Sequence, residues 1–263
     1  MKYIITEKQY KILSEIHLQQ GTWDFDDSYT AIFTLIKEKV GEDKIKMVVK
    51  HYIKNELGYH LTKFKKSDVQ NYVDLFPDNF SFDNKNIPPE LQTKDVLSNL
   101  AYYLVKRFFK LRKLNGLEFF IERTSWGDRN YFFFDPELEQ SVGSITIKKV
   151  SDFFGEVKFP ENSWAVRTAG IDSEAKGTGL GKQMYLTILD DVDVLFCDSF
   201  LYDESLNIWV NVLPKYVYVG AVFNNVHKKP KILSPKTKIL NHEEVKRYFA
   251  TKHPELIEVK ISE

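Results

Sequence analysis

The chain has 263 residues, and 37 Lys plus Arg balance 37 Asp plus Glu, so its formal charge is zero. Apolar residues at 43% and charged residues at 28% exclude a disordered chain, and neutrality removes any global steering toward nucleic acid or an anionic membrane. A single cysteine, Cys197, excludes an internal disulfide framework and a Cys-rich zinc site, and the six histidines show no ligand-like spacing, so no metal is expected.

The first part of the chain reads as helical. Ile5, Tyr10, Ile12, Leu13 and Ile16 recur at helical spacing behind Thr6 as a candidate N-cap. Asp27 and Ser28 precede a second run through Ile32, Phe33, Leu35 and Ile36, closed by Gly41, and a third runs through Ile45, Val48, Val49, Tyr52 and Ile53. Asn, Asp, Ser and Pro then cluster over Pro77–Pro89, which reads as a linker. Asp95 opens an amphipathic helix with the stripe Leu97, Leu100, Leu104, Phe108 and Leu111. Lys106, Arg107, Lys110, Arg112 and Lys113 decorate its far end, where cations suit the helix dipole.

From Gly116 the texture becomes that of strands. Leu117–Glu122, Tyr131–Asp135, Val142–Val150 and Trp164–Ile171 are aromatic, β-branched or alternating runs separated by turn residues. A glycine-rich turn at Gly177–Gly181 leads into a helix over Lys182–Leu189. An apolar strand Val192–Cys197, a helix Ser205–Leu213, a break at Pro214 and a strand Tyr216–Phe223 follow. Asn241–Tyr248 reads as a short helix. The expected class is therefore α+β (mixed α/β): a helical region over 1–90, a twisted mixed sheet with flanking helices over 91–240, and a C-terminal helix and tail over 241–263. The Lys113–Gly116 turn is an alternative boundary.

One segment carries chemistry, Trp164 to Tyr185, a strand followed by a glycine-rich turn and a helix. Glycines let the backbone turn sharply so that successive N–H groups converge, and the following helix adds free N–H groups and the positive end of its dipole. Lys176 and Lys182 flank the turn, and together these parts suit a phosphate. A P-loop fails on two positions: Lys176 stands where its first glycine belongs, and Gln183 follows Gly181-Lys182. A dinucleotide fingerprint fails on spacing, Gly177-x-Gly179-x-Gly181.

The run Lys176-Gly177-Thr178-Gly179-Leu180-Gly181 resembles the acyl-CoA signature of the GNAT superfamily of N-acetyltransferases, with Lys in the Arg/Gln place. The order of strand, turn, helix, strand, helix, strand over about 115–225 is similar to that family as well. The resemblance implies acetyl-CoA as co-substrate and a primary amine as acceptor. The N–H groups of Lys176, Gly177, Thr178, Gly179, Leu180, Gly181 and Lys182 would hold the pyrophosphate. The strand before the turn would splay at a bulge, and its Ala169 and Ile171 would pair with the pantetheine arm.

The match departs from the family at the proton-transfer groups. The strand Trp164–Ile171 holds no acidic residue, so Asp198, at the end of the next strand, is the candidate base. Trp209 occupies the place of the family's tyrosine and cannot readily deliver a proton; Tyr202 is the candidate replacement. Asp172 and Glu174 lie in the loop between strand and turn. Cys197 sits in Val-Leu-Phe-Cys and reads as a core thiol rather than a nucleophile. The segment His227–Lys238 carries Lys228, Lys229, Lys231, Lys236 and Lys238 and no acid, and reads as a solvated edge loop or as a contact for the CoA 3′-phosphate, an acidic substrate or nucleic acid.

A rival reading is a non-catalytic interaction or assembly protein on an acetyltransferase-like fold, with the helical region as the surface for a protein partner or a second copy. No run of 18 apolar residues is present, and the opening MKYIITEKQYKIL lacks a long apolar stretch and a cleavage site, so a cytoplasmic protein is expected. That opening resembles those of phage-encoded proteins, which would place the chain in a host cytoplasm or a virion.

Overall fold

The computed structural model describes residues 28–52, 94–150, 153–154, 157–172, 175–198, 203–223, 231–233 and 245–259. Three helices come first: α1 (Ser28–Val40), α2 (Glu42–Tyr52) and α3 (Lys94–Phe108). Gly41 ends α1 with φ of 87°, the left-handed conformation in which a glycine bears no Cβ penalty. Ile32, Ile36, Ile45, Val49, Leu97, Leu100 and Leu104, spaced for one face of each helix, are buried against Phe120, Phe132 and Phe134 of the sheet. The expected helix at Ile5–Ile16, its Thr6 cap and the Pro77–Pro89 linker lie outside the described residues.

The strands are β1 (Arg112–Leu114), β2 (Leu117–Arg123), β3 (Arg129–Asp135), β4 (Gln140–Lys149), β5 (Phe153–Phe154), β6 (Val157–Lys158), β7 (Ser163–Ile171), β8 (Val194–Phe196), β9 (Tyr218–Phe223), β10 (Lys231–Leu233), β11 (Val245–Thr251) and β12 (Glu258–Val259). Nine of them form one mixed sheet in the order β1-β2-β3-β4-β7-β8-β11-β9-β10; β12, β6 and β5 form a small second sheet. The mixed α/β class expected from the sequence is the one observed.

Successive residues of a strand face opposite ways, and here both faces of β2 and β3 are apolar. Phe120, Phe132 and Phe134 meet α1–α3. Phe119, Tyr131 and Phe133 join Ile145, Ile147 and Val166 beneath α4 (Leu180–Ile188). A third cluster, Phe159, Val194, Phe196, Val222 and Phe249, fills the sheet's other half.

Two expectations are corrected. The helix opened at Asp95 ends at Phe108, so Leu111, Arg112 and Lys113 do not extend its stripe or its basic end. Asn115 and Gly116, with φ of 53° and 80°, make a two-residue hairpin turn that folds Arg112–Leu114 back along Leu117–Phe119. Asn241–Tyr248 is not a helix over its described part. Val245–Thr251 is β11, held between β8 and β9, so the segment read as helix and tail supplies a strand of the main sheet. Val245, Tyr248 and Phe249 suit either period locally; two waiting strand edges decide the outcome. Ser205–Leu213 is helical as expected, but it begins as α5 (Asp203–Asn207) and widens into a π turn over Ile208–Val212 before Leu213–Lys215 tightens at Pro214.

Candidate functional site

The site begins where two parallel strands part. β7 pairs with β8 from Ser163 opposite Val194 to Ala165 opposite Phe196, and no further. Beyond Ala165, β7 stays with β4 as far as Ile171 opposite Gly143. Beyond Phe196, the other arm stays with β11: the Cys197 N–H donates to Tyr248 O at 2.9 Å. The sheet therefore opens as a V between Val166–Ile171 and the end of β8. The register with β4 slips just past the apex, where Arg167 is an extra residue between the pairs Ile147–Val166 and Thr146–Thr168. Such a bulge bends its strand and increases its twist.

Main-chain direction on β7 follows from the ladder. The Asp172 N–H donates to Val142 O at 2.8 Å, so Asp172, Gly170 and Thr168 turn their N–H and C=O groups to β4. Ala169 and Ile171 turn theirs into the opening.

Asp172 is buried and its carbonyl accepts from the Ala175 N–H at 2.9 Å, which anchors the start of the glycine turn. Thr178 closes the turn: its Oγ1 donates to Ala175 O at 2.6 Å. Gly177 and Gly179 have φ of 78° and 85°, and a Cβ on either would meet no atom within 4 Å. Gly179 caps α4 without a side-chain hydrogen bond, and the first turn of α4 holds no acidic residue. Its N–H groups and dipole end are thus uncompensated by side-chain charge. Gly181 differs from the other two, being buried, and a Cβ there would come to 2.4 Å from Ile171 Cδ1. Lys176 is exposed beside the turn. Lys182 Nζ lies 3.4 Å from the Tyr216 hydroxyl and 4.7 Å from the centroid of its ring. Tyr216 was not singled out in the sequence; an exposed tyrosine distant in the chain gives no local signal.

The other arm of the V carries Asp198, half-buried, two residues past the end of β8. Its charge reaches Tyr185 on α4, whose hydroxyl is pushed well above the ordinary range, first by burial, then by Cys197 and Asp198. Trp209 is fully buried, packs edge-on to Tyr185 at 5.6 Å and hydrogen-bonds to it, so the indole belongs to the core. Burial pushes the Cys197 thiol up to about 11, although the Tyr248 N–H donates to its sulfur at 3.2 Å. It is therefore a thiol at neutral pH and a poor nucleophile. Tyr202 and Glu174 lie outside the described residues, as does most of His227–Lys238; its residues 231–233 form the edge strand β10.

Among the described residues no group of three His, Cys, Asp or Glu is placed to hold a metal ion, and no helix is long and apolar enough to cross a membrane. No family model matches the chain, and no curated protein sequence does. Among solved structures, an acetyltransferase of the GNAT family from Staphylococcus aureus Mu50 is similar at 10% identity over 81% of this chain and 93% of that one, with a TM-score of 0.30. A likeness at that level decides nothing about activity, and the chemistry has to come from the site itself.

Proposed function

We propose that the chain is an acyl-CoA-dependent N-acetyltransferase, moving an acetyl group from acetyl-CoA to a primary amine. The observation that carries this reading is a strand that leaves its parallel neighbour at Ala165 and leads, with its outward main chain unpaired by β8, toward a glycine turn whose helix has no acidic first turn. A pantetheine arm carries two amides, and Ala169 and Ile171 offer it one more strand's worth of pairing. The pyrophosphate suits the N–H groups between Lys176 and Lys182 other than those of Thr178 and Leu180, which donate to Ala175 O and Thr178 Oγ1 within the turn, with Lys176 and Lys182 as countercharge. The thioester then falls near the bulge Val166–Thr168, where a main-chain N–H would polarise its carbonyl.

In this reading the amine approaches from the face of the sheet opposite α4. Its nitrogen bonds to the carbonyl carbon, the C–S bond breaks, the thiol of CoA leaves, and the amine gives up a proton. Asp198, on the second arm of the V, is the candidate to receive it directly or through water. Tyr202 is the candidate to protonate the departing sulfur. Trp209 and Tyr185 are too deeply packed against one another to serve.

Acetyl-CoA titrated into the full chain tests this, by calorimetry and thermal shift. Ligand at about 100 times its Kd adds about 2.7 kcal/mol to stability, a rise of a few degrees for a chain of this size. Gly179→Glu puts a negative side chain into the turn and should abolish binding, whereas Gly179→Ala, equally strained in φ but uncharged, should retain most of it. Failure of the wild type to bind at millimolar ligand sinks the proposal and leaves the non-catalytic assembly reading.

A further inference from the structure

The sheet face opposite α4 is apolar at Phe120, Phe132 and Phe134, where the helices α1–α3 cover it, and again at Ala165, Val194 and Phe196 in the third cluster. Further along the same strands, residues of the same alternation are polar. Register lines four of them up across four strands: Glu122 opposite Asn130, Asn130 opposite Thr146, Thr146 opposite Thr168. At about 4.8 Å per strand the row is about 14 Å long. It ends on Thr168, next to the bulge where the V opens. The reverse face of the same strands carries Tyr131, Ile145, Ile147 and Val166, all buried. The polar row is thus a local choice and not a general weakness of the sheet.

Two carboxylates stand at the β2–β3 end of the row, Glu122 within it and Asp128 in the turn beside it, and each is satisfied by a more exposed cation from another element. Asp128 accepts from Arg167 Nη1 at 2.7 Å; the Asp128 side chain is 12% exposed and that of Arg167 60%. Glu122 pairs with Lys39 of α1 and is likewise the more buried partner. Asp128 is held rigidly in its turn: the Asp128 N–H donates to Thr124 Oγ1 at 3.1 Å and the Thr124 N–H to Asp128 O at 3.0 Å. The same turn presents Trp126, 89% exposed. A fixed carboxylate, a solvated counter-ion that can leave, and a bare indole nearby form a receptor for a positive charge.

We propose that this row seats the acceptor and that the acceptor is a linear polycationic amine. One ammonium displaces Arg167 from Asp128, a second is drawn toward Glu122, and Asn130, Thr146 and Thr168 accept N–H groups along the row that leads from these carboxylates to the V. For its chemical outcome this assignment rests on the acyltransferase reading; for binding it does not.

The test uses spermidine as the probe, titrated calorimetrically into the full chain saturated with CoA, with 1,6-hexanediol as an uncharged control. Saturable spermidine binding is expected, with none of the diol. Asp128→Asn should weaken it about tenfold, the scale of a hydrogen bond to a charged group. Arg167→Met should tighten it, because the competing cation is gone, and this opposite sign keeps the test decisive if Asp128→Asn fails to fold. Absence of spermidine binding at millimolar concentration, or equal binding by wild type and both variants, overturns the proposal. CoA titrated alone separates the two readings. Spermidine binding that depends on Asp128 without CoA binding sinks only the acyltransferase, and CoA binding without spermidine binding sinks only the acceptor assignment.

Discussion

Gly181 and Ile171 meet so closely that a single added carbon would make a side chain move: a Cβ on Gly181 would stand 2.4 Å from Ile171 Cδ1. The contact presses the first turn of α4 onto the last residue of β7, which sets where the glycine turn sits relative to the V. Gly181→Ala should change stability by less than about 1 kcal/mol, because the end of the half-buried Ile171 side chain can turn aside and an alanine within α4 offsets that cost with its better helix propensity. Ile171→Val removes that Cδ1, so Gly181→Ala should be more favourable by about 0.5–1 kcal/mol in the Ile171→Val background than in the wild type. Gly179→Ala, strained only in φ, should cost about 1 kcal/mol and gain nothing from Ile171→Val. Urea unfolding of the variants decides it; additive effects at 171 and 181 would refute the contact.

Asp191, just past α4, draws β1 and β3 together. Arg112 donates to both its oxygens at 3.0 and 2.9 Å, and the Tyr131 hydroxyl donates to one of them at 3.2 Å. Asp191→Asn should cost about 1–2 kcal/mol, since the carboxylate is mostly shielded and takes a bidentate partner. A double-mutant cycle with Arg112→Met should return a coupling of about 0.5–1 kcal/mol, small because the guanidinium is half solvated. A coupling of zero would make the pair incidental.

The buried Cys197 thiol sets an alkaline limit. Its pKa is raised from an ordinary 9.0 to about 11, so the folded protein keeps a proton that the unfolded chain gives up. The stability this provides is complete below pH 9 and falls away as pH rises toward 11. Cys197→Ser keeps an acceptor for the Tyr248 N–H but does not titrate there. The melting temperature of the variant should therefore fall less steeply between pH 9 and 11 than that of the wild type. Parallel slopes would contradict the assignment, as would rapid reaction of the native thiol with a disulfide reagent at pH 8.

Lys182 has an aromatic resting place on Tyr216. If the glycine turn takes a pyrophosphate, Lys182→Ala should weaken acetyl-CoA binding about tenfold at low salt, and by less at high salt, because an exposed charge is screened. Tyr216→Phe keeps the ring and should bind nearly as wild type. A Lys182→Ala defect insensitive to salt would point to lost packing instead.

What the sequence disclosed about the fold was local. β7, the turn and α4 are legible in Trp164–Tyr185 because alternation, two glycines in the left-handed region and a helical stripe each leave a short-range mark. Gly181 looks like a third member of that glycine set, yet its role is contact with Ile171, and spacing cannot separate a glycine needed for φ from one needed for room. β11 was hidden because Val245, Tyr248 and Phe249 satisfy a helical period, and the pairing with Leu195 and Ala221 that makes it a strand comes from far away. The row from Glu122 to Thr168 was invisible for the same reason. It exists only in the register of four strands, and no segment of the chain holds more than one of its members.

The position of β11 also bears on how the chain is made. β8 and β9 emerge from the ribosome before residues 245–251, but they have no direct pairing with each other; β11 lies between them. Until it arrives, the nascent protein carries two open strand edges and half a sheet that cannot close. Such edges recruit other strands, and long-range pairings of this kind form slowly. The arrival of residues 245–251, rather than completion of the helices or of the β1–β4 meander, is then the moment at which the V acquires its second wall.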